Sequence, residues 1–342
     1  MSRLTPKAAV VALAAVASLG LASCSNAAQD APEGSSSSAA SAASSAAGSE
    51  SSTVTVTDNT GTKEVPSPPK RVVALDNRSF EILAQWGIKP VAAARTLVPV
   101  TIPEIGDDES IDDIGNHREP NLEKIVAADP DVVVSGQRFQ RYDEEIQKLV
   151  PNAVVLDFEP RDGESLDEEL VRLTTNLGEV FGKQDEAKKL VDDFNAALKR
   201  AKDAYNPEQT VMGLNVSGGE IGYVAPSVGR VWGPVFDIVG FTPALEVDNA
   251  SGDHQGDDIS VESIAQANPD WIVVLDRDAG IRSQSDSPAA KAVIADSAPL
   301  KNVTAVMQDR VYIAPNDTYT NESIITYTEI LNELADIFEA AK

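Results

Sequence analysis

Residues 122–138 read LEKIVAADPDVVVSGQR, and residues 261–277 read VESIAQANPDWIVVLDR. The two stretches align without a gap, and their Glu, Ile, Ala, Pro, Asp, Val and closing Arg coincide. In each copy LEKIVAA or VESIAQA reads as a helix. Pro130 or Pro269 stops it, because proline lacks the N–H donor and clashes with the preceding turn. DVVVS or DWIVVL then reads as a strand buried on both faces, as strands of parallel sheets are. Arg138 and Arg277 stand two or three residues beyond those strands. Open α/β sheets bind ligands outside the carboxyl ends of their strands, so the two arginines are expected to face each other across a cleft. Asn121 and Ser260 look like helix caps, which puts Glu123 and Glu262 in first turns. There each either offsets the helix dipole, worth roughly a few tenths of a kcal/mol, or serves as a docking charge.

Outward from the repeat, strands and helices alternate. Residues 53–57 (TVTVT), a DNTG turn and residues 62–65 read as a β-hairpin. RVVAL at 71–75 is a short buried strand, SFEILAQWG a helix ending at Gly87, and AVVLDF another strand. Residues 166–181 and 184–205 are both helical in pattern. The second carries Ala187, Leu190, Phe194, Ala197, Leu198 and Ala201 on one face, and at 1.5 Å per residue it runs about 30 Å. The alternation then restarts with TVMGLNV, the second repeat copy, VYIA and a final amphipathic helix. Such alternation means mainly parallel sheets. The fold class is therefore α/β, with two Rossmann-like lobes at 53–183 and 206–342 joined by one long α-helix at 184–205.

The chain has 342 residues, but its first part is not built to fold. Residues 1–23 carry Arg3 and Lys7 ahead of an Ala-rich apolar run, the form of a secretory signal. The run ends in LASC, which resembles a bacterial lipobox. Cys24 is the sole cysteine, so no internal disulfide can form, and its position points to lipidation and a membrane anchor. Residues 24–52 are Ser/Ala-rich and read as a flexible tether. The formal net charge is −26, and it argues against nucleic acid or an anionic membrane surface as partner.

Four stretches carry a family resemblance: EPNLEKIVAADPDVVVSGQR, GRVWGPVFDIVGFTP, DHQGDDISVESIAQANPDWIVVLDR and DRVYIAPNDTYT. Together they resemble the substrate-binding proteins of ferric-siderophore ABC importers, especially the catecholate receptors of the petrobactin and enterobactin type. The resemblance implies the class III substrate-binding fold, with a shallow cleft and small hinge motion. It implies a monomer without a permanent cofactor, whose transported ligand is a ferric siderophore. Hand-over to a membrane permease would run through Glu123 and Glu262. Carried over position by position, the ligand pocket falls on Arg138, Arg230 and Arg277. The first motif reads Ser-Gly-Gln-Arg where relatives read Ser-Gly-Arg-Gln, so Arg141 competes with Arg138 for that role. Arginine suits a ferric catecholate because it stays charged and offers planar donors to negative oxygens. The resemblance also places His254 and Tyr319 as iron ligands where a siderophore leaves coordination sites open. Trp232, Tyr142 and Tyr223 are candidates to stack on a catechol ring, whereas Trp271, mid-strand, belongs to the core.

Alternatives of other classes are weaker. A haem reading leans on His117 with a tyrosine, and a corrinoid-binding protein of the same fold stays open. A zinc or manganese receptor needs a His/carboxylate cluster, which two separated histidines do not supply. A secreted siderophore esterase needs a Ser–His–acid triad, and no G-x-S-x-G elbow is present. The expectation is a binding protein, not an enzyme.

Overall fold

In the computed structural model, residues 52–281 and 287–342 are described. The signal segment, Cys24 and nearly all of the tether lie outside them. The opening hairpin pairs β1 (Ser52–Asp58) with β2 (Gly61–Ser67). Its first strand begins at Ser52, one residue inside the expected tether.

The first half follows as β3 (Val72–Ala74), α1 (Asn77–Gln85), β4 (Ala92–Ala93), α2 (Pro103–Gly106) and β5 (Asp112–Asp113). Next come a small antiparallel pair, β6 (Gly115–Asn116) and β7 (Glu119–Pro120), then α3 (Leu122–Ala127), β8 (Val132–Ser135), α4 (Asp143–Leu149) and β9 (Val154–Asp157). The sheet order is β5-β4-β3-β8-β9, all parallel. The order reverses between β3 and β8, so the loops after these two strands open onto the crevice such sheets form at their carboxyl ends.

Two helices follow at a tight corner, α5 (Leu166–Phe181) and α6 (Gln184–Ala204). Gly182 ends α5 with φ +64°, a left-handed cap that glycine adopts without cost. Gly178 lets the helices touch, since a Cβ there would sit 2.5 Å from that of Ala187.

The second half runs β10 (Thr210–Ser217), β11 (Glu220–Val224), α7 (Trp232–Val239), β12 (Thr242–Pro243), α8 (Val261–Ala267), β13 (Trp271–Asp276), α9 (Ala290–Asp296), α10 (Thr304–Met307), β14 (Val311–Ile313) and α11 (Ile324–Ala340). Its sheet order is β11-β10-β13-β14, with β12 alongside β10; only β11 runs antiparallel.

The repeat folds as its sequence predicts, helix then strand. Asn121 and Ser260 cap α3 and α8 by accepting from Lys124 N–H and Ser263 N–H. The strands differ in length, however. β8 stops at Ser135, whereas β13 continues to Asp276, so Arg138 lies three residues past its strand and Arg277 only one.

The described residues form one compact unit. Its main core runs from the first sheet through α5, α6 and α11. Phe338 of α11 meets Tyr205, Phe241 and Trp271 with ring centroids 5.4, 5.8 and 4.9 Å apart, so a residue of the second sheet shares this core. A second cluster, including Met212, Leu214, Ile272, Val274 and Leu300, covers the other face of the second sheet.

Candidate functional site

The loop after β3 starts the site. Asp76 caps α1 by accepting from Arg78 N–H at 3.2 Å, and the buried Arg78 side chain points to two acids. Its Nη1 donates to both Glu159 oxygens at 2.9 Å, and its Nη2 to Glu322 Oε2 at 3.0 Å. Glu159 follows β9 and also accepts from Gln137 N–H at 2.7 Å. Glu322 precedes α11, so this pairing crosses from the first half to the second. From the second half, Arg230 Nε donates to Glu322 Oε1 at 2.8 Å, and its Nη2 reaches the same oxygen and Tyr319 O. The Arg230 guanidinium lies 4.3 Å from the Tyr319 ring centre and that of Arg277 lies 5.0 Å from it. A chain of charge thus runs Glu159–Arg78–Glu322–Arg230. Neighbouring bonds stitch the same seam: Asn77 Nδ2 donates to Thr320 O at 2.7 Å and Asn321 Nδ2 to Glu81 Oε2 at 3.0 Å.

Burial by itself pushes the Glu322 carboxyl up, but the Arg230 and Arg78 guanidiniums outweigh it and hold Glu322 below the ordinary glutamate range. Burial dominates at Glu159, which is raised despite Arg78. Asp76 is pushed up to about 7, first by burial and then by the charge of Glu159. Asp143, near the same sheet end and accepting from Ser135 Oγ at 2.5 Å, is raised to about 7, mainly by burial. These two acids take up a proton in the folded state before they would in the unfolded chain. Their stabilisation is full below the unfolded carboxylate range and is lost as pH rises through about 7. The acids held low, among them Asp58, Glu169 and Glu322, lose their contribution only below the ordinary carboxylate range. The thermal midpoint should therefore fall between about pH 5 and pH 8. Asp76→Asn keeps an oxygen for the cap and should flatten part of that fall in a melting series. An unchanged slope would remove Asp76 from the account.

Two cavities open at this seam. The larger, about 1070 Å³, is lined by Arg78, Arg138, Glu159, Arg230, His254 and Glu322, with the 160–166 loop on one wall. The smaller, about 80 Å³, includes His117, Arg138, Arg230 and Tyr319. Arg138 and Arg230 line both. Arg138 is exposed and has no carboxylate in ion-pair range among the described residues; its Nη1 lies 3.1 Å from His117 Nε2. Arginine can only donate, so His117 Nε2 is the acceptor and the ring is neutral. Burial, then Arg138, Arg141 and Arg118, lower the His117 value in agreement with this.

The other expected residues divide. Arg277 Nη1 donates to Ser217 Oγ at 3.1 Å and Asp278 Oδ1 at 3.4 Å, and Arg277 lines neither cavity. Of the three expected guanidiniums, then, two share the cleft, and the third meets it through the Tyr319 ring. Arg141 and Tyr142 also line neither cavity. Arg141 Nη2 and Tyr142 Oη both donate to His117 O, and the Arg141 guanidinium sits 4.8 Å from the Tyr142 ring, so the pair braces the turn that carries His117. Trp232 corrects the stacking expectation. It is 0% exposed, against Tyr312. The reason is local. Val231 takes φ +65° and ψ −66°, and Trp232 N–H donates to Arg230 O at 2.8 Å, a γ-turn of the rare, strained hand. It sends Arg230 to the cleft and Trp232 into the core. Tyr223 is likewise buried, its hydroxyl donating to Leu245 O at 2.5 Å.

His254 lines the larger cavity and Tyr319 the smaller. Asn215 Nδ2 holds the His254 carbonyl at 2.9 Å, and His254 Nδ1 is 3.8 Å from the Asp253 carboxylate. Among the described residues no group of three or more His, Cys, Asp or Glu side chains is arranged to hold a metal ion. Glu123 and Glu262 are both exposed in the first turns of α3 and α8.

Arg78, Glu159 and Glu322 escaped the sequence reading. Arg78 stands three residues past the strand RVVAL, beyond the carboxyl end where ligands bind, so it carried a usable signal. Glu322 had none, because its partners are remote in sequence.

Over residues 72–318 the chain matches the family model described as periplasmic binding protein. It is 30% identical over 227 residues to the ferric-anguibactin-binding protein FatB of Vibrio anguillarum, covering 66% of this chain and 69% of that protein. It is 26% identical over 289 residues to the petrobactin-binding protein YclQ of Bacillus subtilis, covering 82% and 86%. The solved structure of the periplasmic catecholate-siderophore binding protein VctP from Vibrio cholerae superposes with a TM-score of 0.72 at 22% identity, over 82% of this chain and 99% of that one. It shares the fold.

Proposed function

The chain belongs to the periplasmic binding protein family, and from that membership we propose that it captures a ferric siderophore between its two sheets and delivers it to an ABC permease. One observation carries the reading beyond the relatives' ligands. An open cavity of about 1070 Å³ is flanked by Arg138 from the first half and Arg230 from the second. Such a space suits a bulky complex, and guanidiniums suit its negative oxygens. We assign the contacts to Arg138, Arg230 and Tyr319, with His117 holding Arg138 and His254 lining the same cavity. The metal arrives with its own ligands, so it is cargo. Binding is non-covalent and reversible, and the protein is not an enzyme in this reading. Residues 53–183 and 206–342 are its lobes and residues 184–205 their connection.

Cys24 is the proposed lipid anchor on the outer face of the cell membrane. Among the described residues no helix is long and apolar enough to cross a membrane. Glu123 and Glu262 are the proposed permease contacts, one from each half.

Calorimetric titration with ferric complexes of catecholate, citrate and hydroxamate ligands, and with haem, tests the reading. We expect a ferric siderophore to bind at about micromolar Kd or tighter; saturation by haem alone overturns it. A Glu123→Ala, Glu262→Ala double variant should titrate as the parent does and lose uptake in cells. Loss of binding instead would remove the docking role.

A further inference from the structure

We propose that Glu322 sets the charge this cleft accepts, tuning it to ferric siderophores of low net charge rather than to a tris-catecholate trianion. The inference rests on the ferric-siderophore reading and names the substrate class within it.

Four arginines line the larger cavity: Arg78, Arg138, Arg161 and Arg230. Three already carry acids. Arg78 is shared by Glu159 and Glu322, Arg230 is held by Glu322, and Arg161 is held by Glu169. Only Arg138 has no carboxylate partner among the described residues. The same cavity is lined by Asp162, Glu164 and Asp237, none of which has a lysine or arginine in ion-pair range among the described residues. The wall that a ligand meets is therefore acidic on balance, with a single guanidinium that no carboxylate contacts among the described residues.

Glu322 and Tyr319 O hold Arg230 through Nε and Nη2, so Nη1 is the group left to a ligand oxygen. That oxygen meets a guanidinium whose charge Glu322 already offsets, and the contact gains less than one to an unpaired arginine. Glu322 is 5% exposed and held below the ordinary glutamate range by Arg230 and Arg78, so its negative charge stays beside the ligand. Each further negative charge on the ligand must find its attraction elsewhere, beside carboxylates that repel it. A complex whose charge one arginine can match escapes this penalty.

Substituting Glu322→Gln keeps the shape and removes the charge, leaving the Arg230 guanidinium unmatched for the ligand. The probe is a set of hexadentate ligands in which hydroxamate replaces catecholate stepwise, so that the ferric complex runs from trianion to neutral at nearly constant size. Calorimetry on the wild-type protein should show affinity falling toward the trianion. In Glu322→Gln the trianion should gain about tenfold to hundredfold, while the neutral complex changes by no more than about threefold. Melting curves confirm that the variant is folded. The wild-type series needs no variant, and a preference for the trianion there overturns the proposal. So does a Glu322→Gln change that is equal across the series, which would make Glu322 a structural clamp only. Failure of every ferric complex to bind the wild-type protein would instead sink the siderophore reading itself, and the proposal with it.

Discussion

Arg78→Ala is expected to lower stability by about 3–5 kcal/mol and the thermal midpoint by about 6–10 °C. This is the largest stability effect of any substitution considered. The guanidinium serves two buried carboxylates at once. Removing it leaves Glu159 with a backbone N–H and Glu322 with Arg230 alone. An uncompensated buried carboxylate escapes by taking a proton. In the variant Glu159, already raised, rises further, and the folded-state value of Glu322 rises above its unfolded one. The stability this protonation preserves is then complete at acid pH and disappears as pH climbs through the raised values. The deficit against wild type should therefore be wider near pH 8 than near pH 5. Arg78→Lys keeps the charge but loses the fork that spans two acids, and it should fall between the two. Melting curves at both pH values check this. A variant that melts like the parent would show that the crossing from one half to the other contributes nothing.

Arg138→Ala is expected to have the opposite profile. Affinity for the ferric siderophore should drop by roughly tenfold to hundredfold, the worth of a charge-assisted contact, while the melting temperature stays put. Arg138 is exposed and its one side-chain partner is a neutral histidine, so the fold loses little. Arg141→Ala is the matched control. It removes an equal charge nearby, but that guanidinium holds the His117 carbonyl and lines neither cavity. Calorimetric titration of both variants decides it. Equal losses would mean that charge alone matters; no loss in Arg138→Ala would move the binding contact elsewhere.

The fold was legible because its signals are local and repeated. Pro130 and Pro269 end helices whatever surrounds them, and the apolar face of residues 187–201 fixes α6 to within a residue of Gln184–Ala204. The site was only half legible, for a geometric reason. Equal columns of the repeat do not land at equal places. After β8, Gln137 takes φ +47° and the chain coils into a 3-10 turn through Tyr142, which carries Arg138 into the cleft. After the longer β13, Arg277 emerges beside Asp278 and Ser217. A similar turn of backbone separated Arg230 from Trp232. Glu322 and Arg78 lie far apart in the chain, and no spacing rule connects them. The acids that neutralise the cleft's arginines were the part a charge count could not assign.

The turn at Val231 carries a kinetic consequence. A β-branched residue held at positive φ costs about 1–3 kcal/mol, and the fold meets that cost in advance. The Arg230 backbone is fixed by the turn, and its side chain by Glu322 and the Tyr319 ring. Most long cationic arms surrender rotational freedom when they grip something, at about 0.5–1.5 kcal/mol each. This one has none left to surrender, so an arriving ligand meets an arm already set and association need not wait for it to be found.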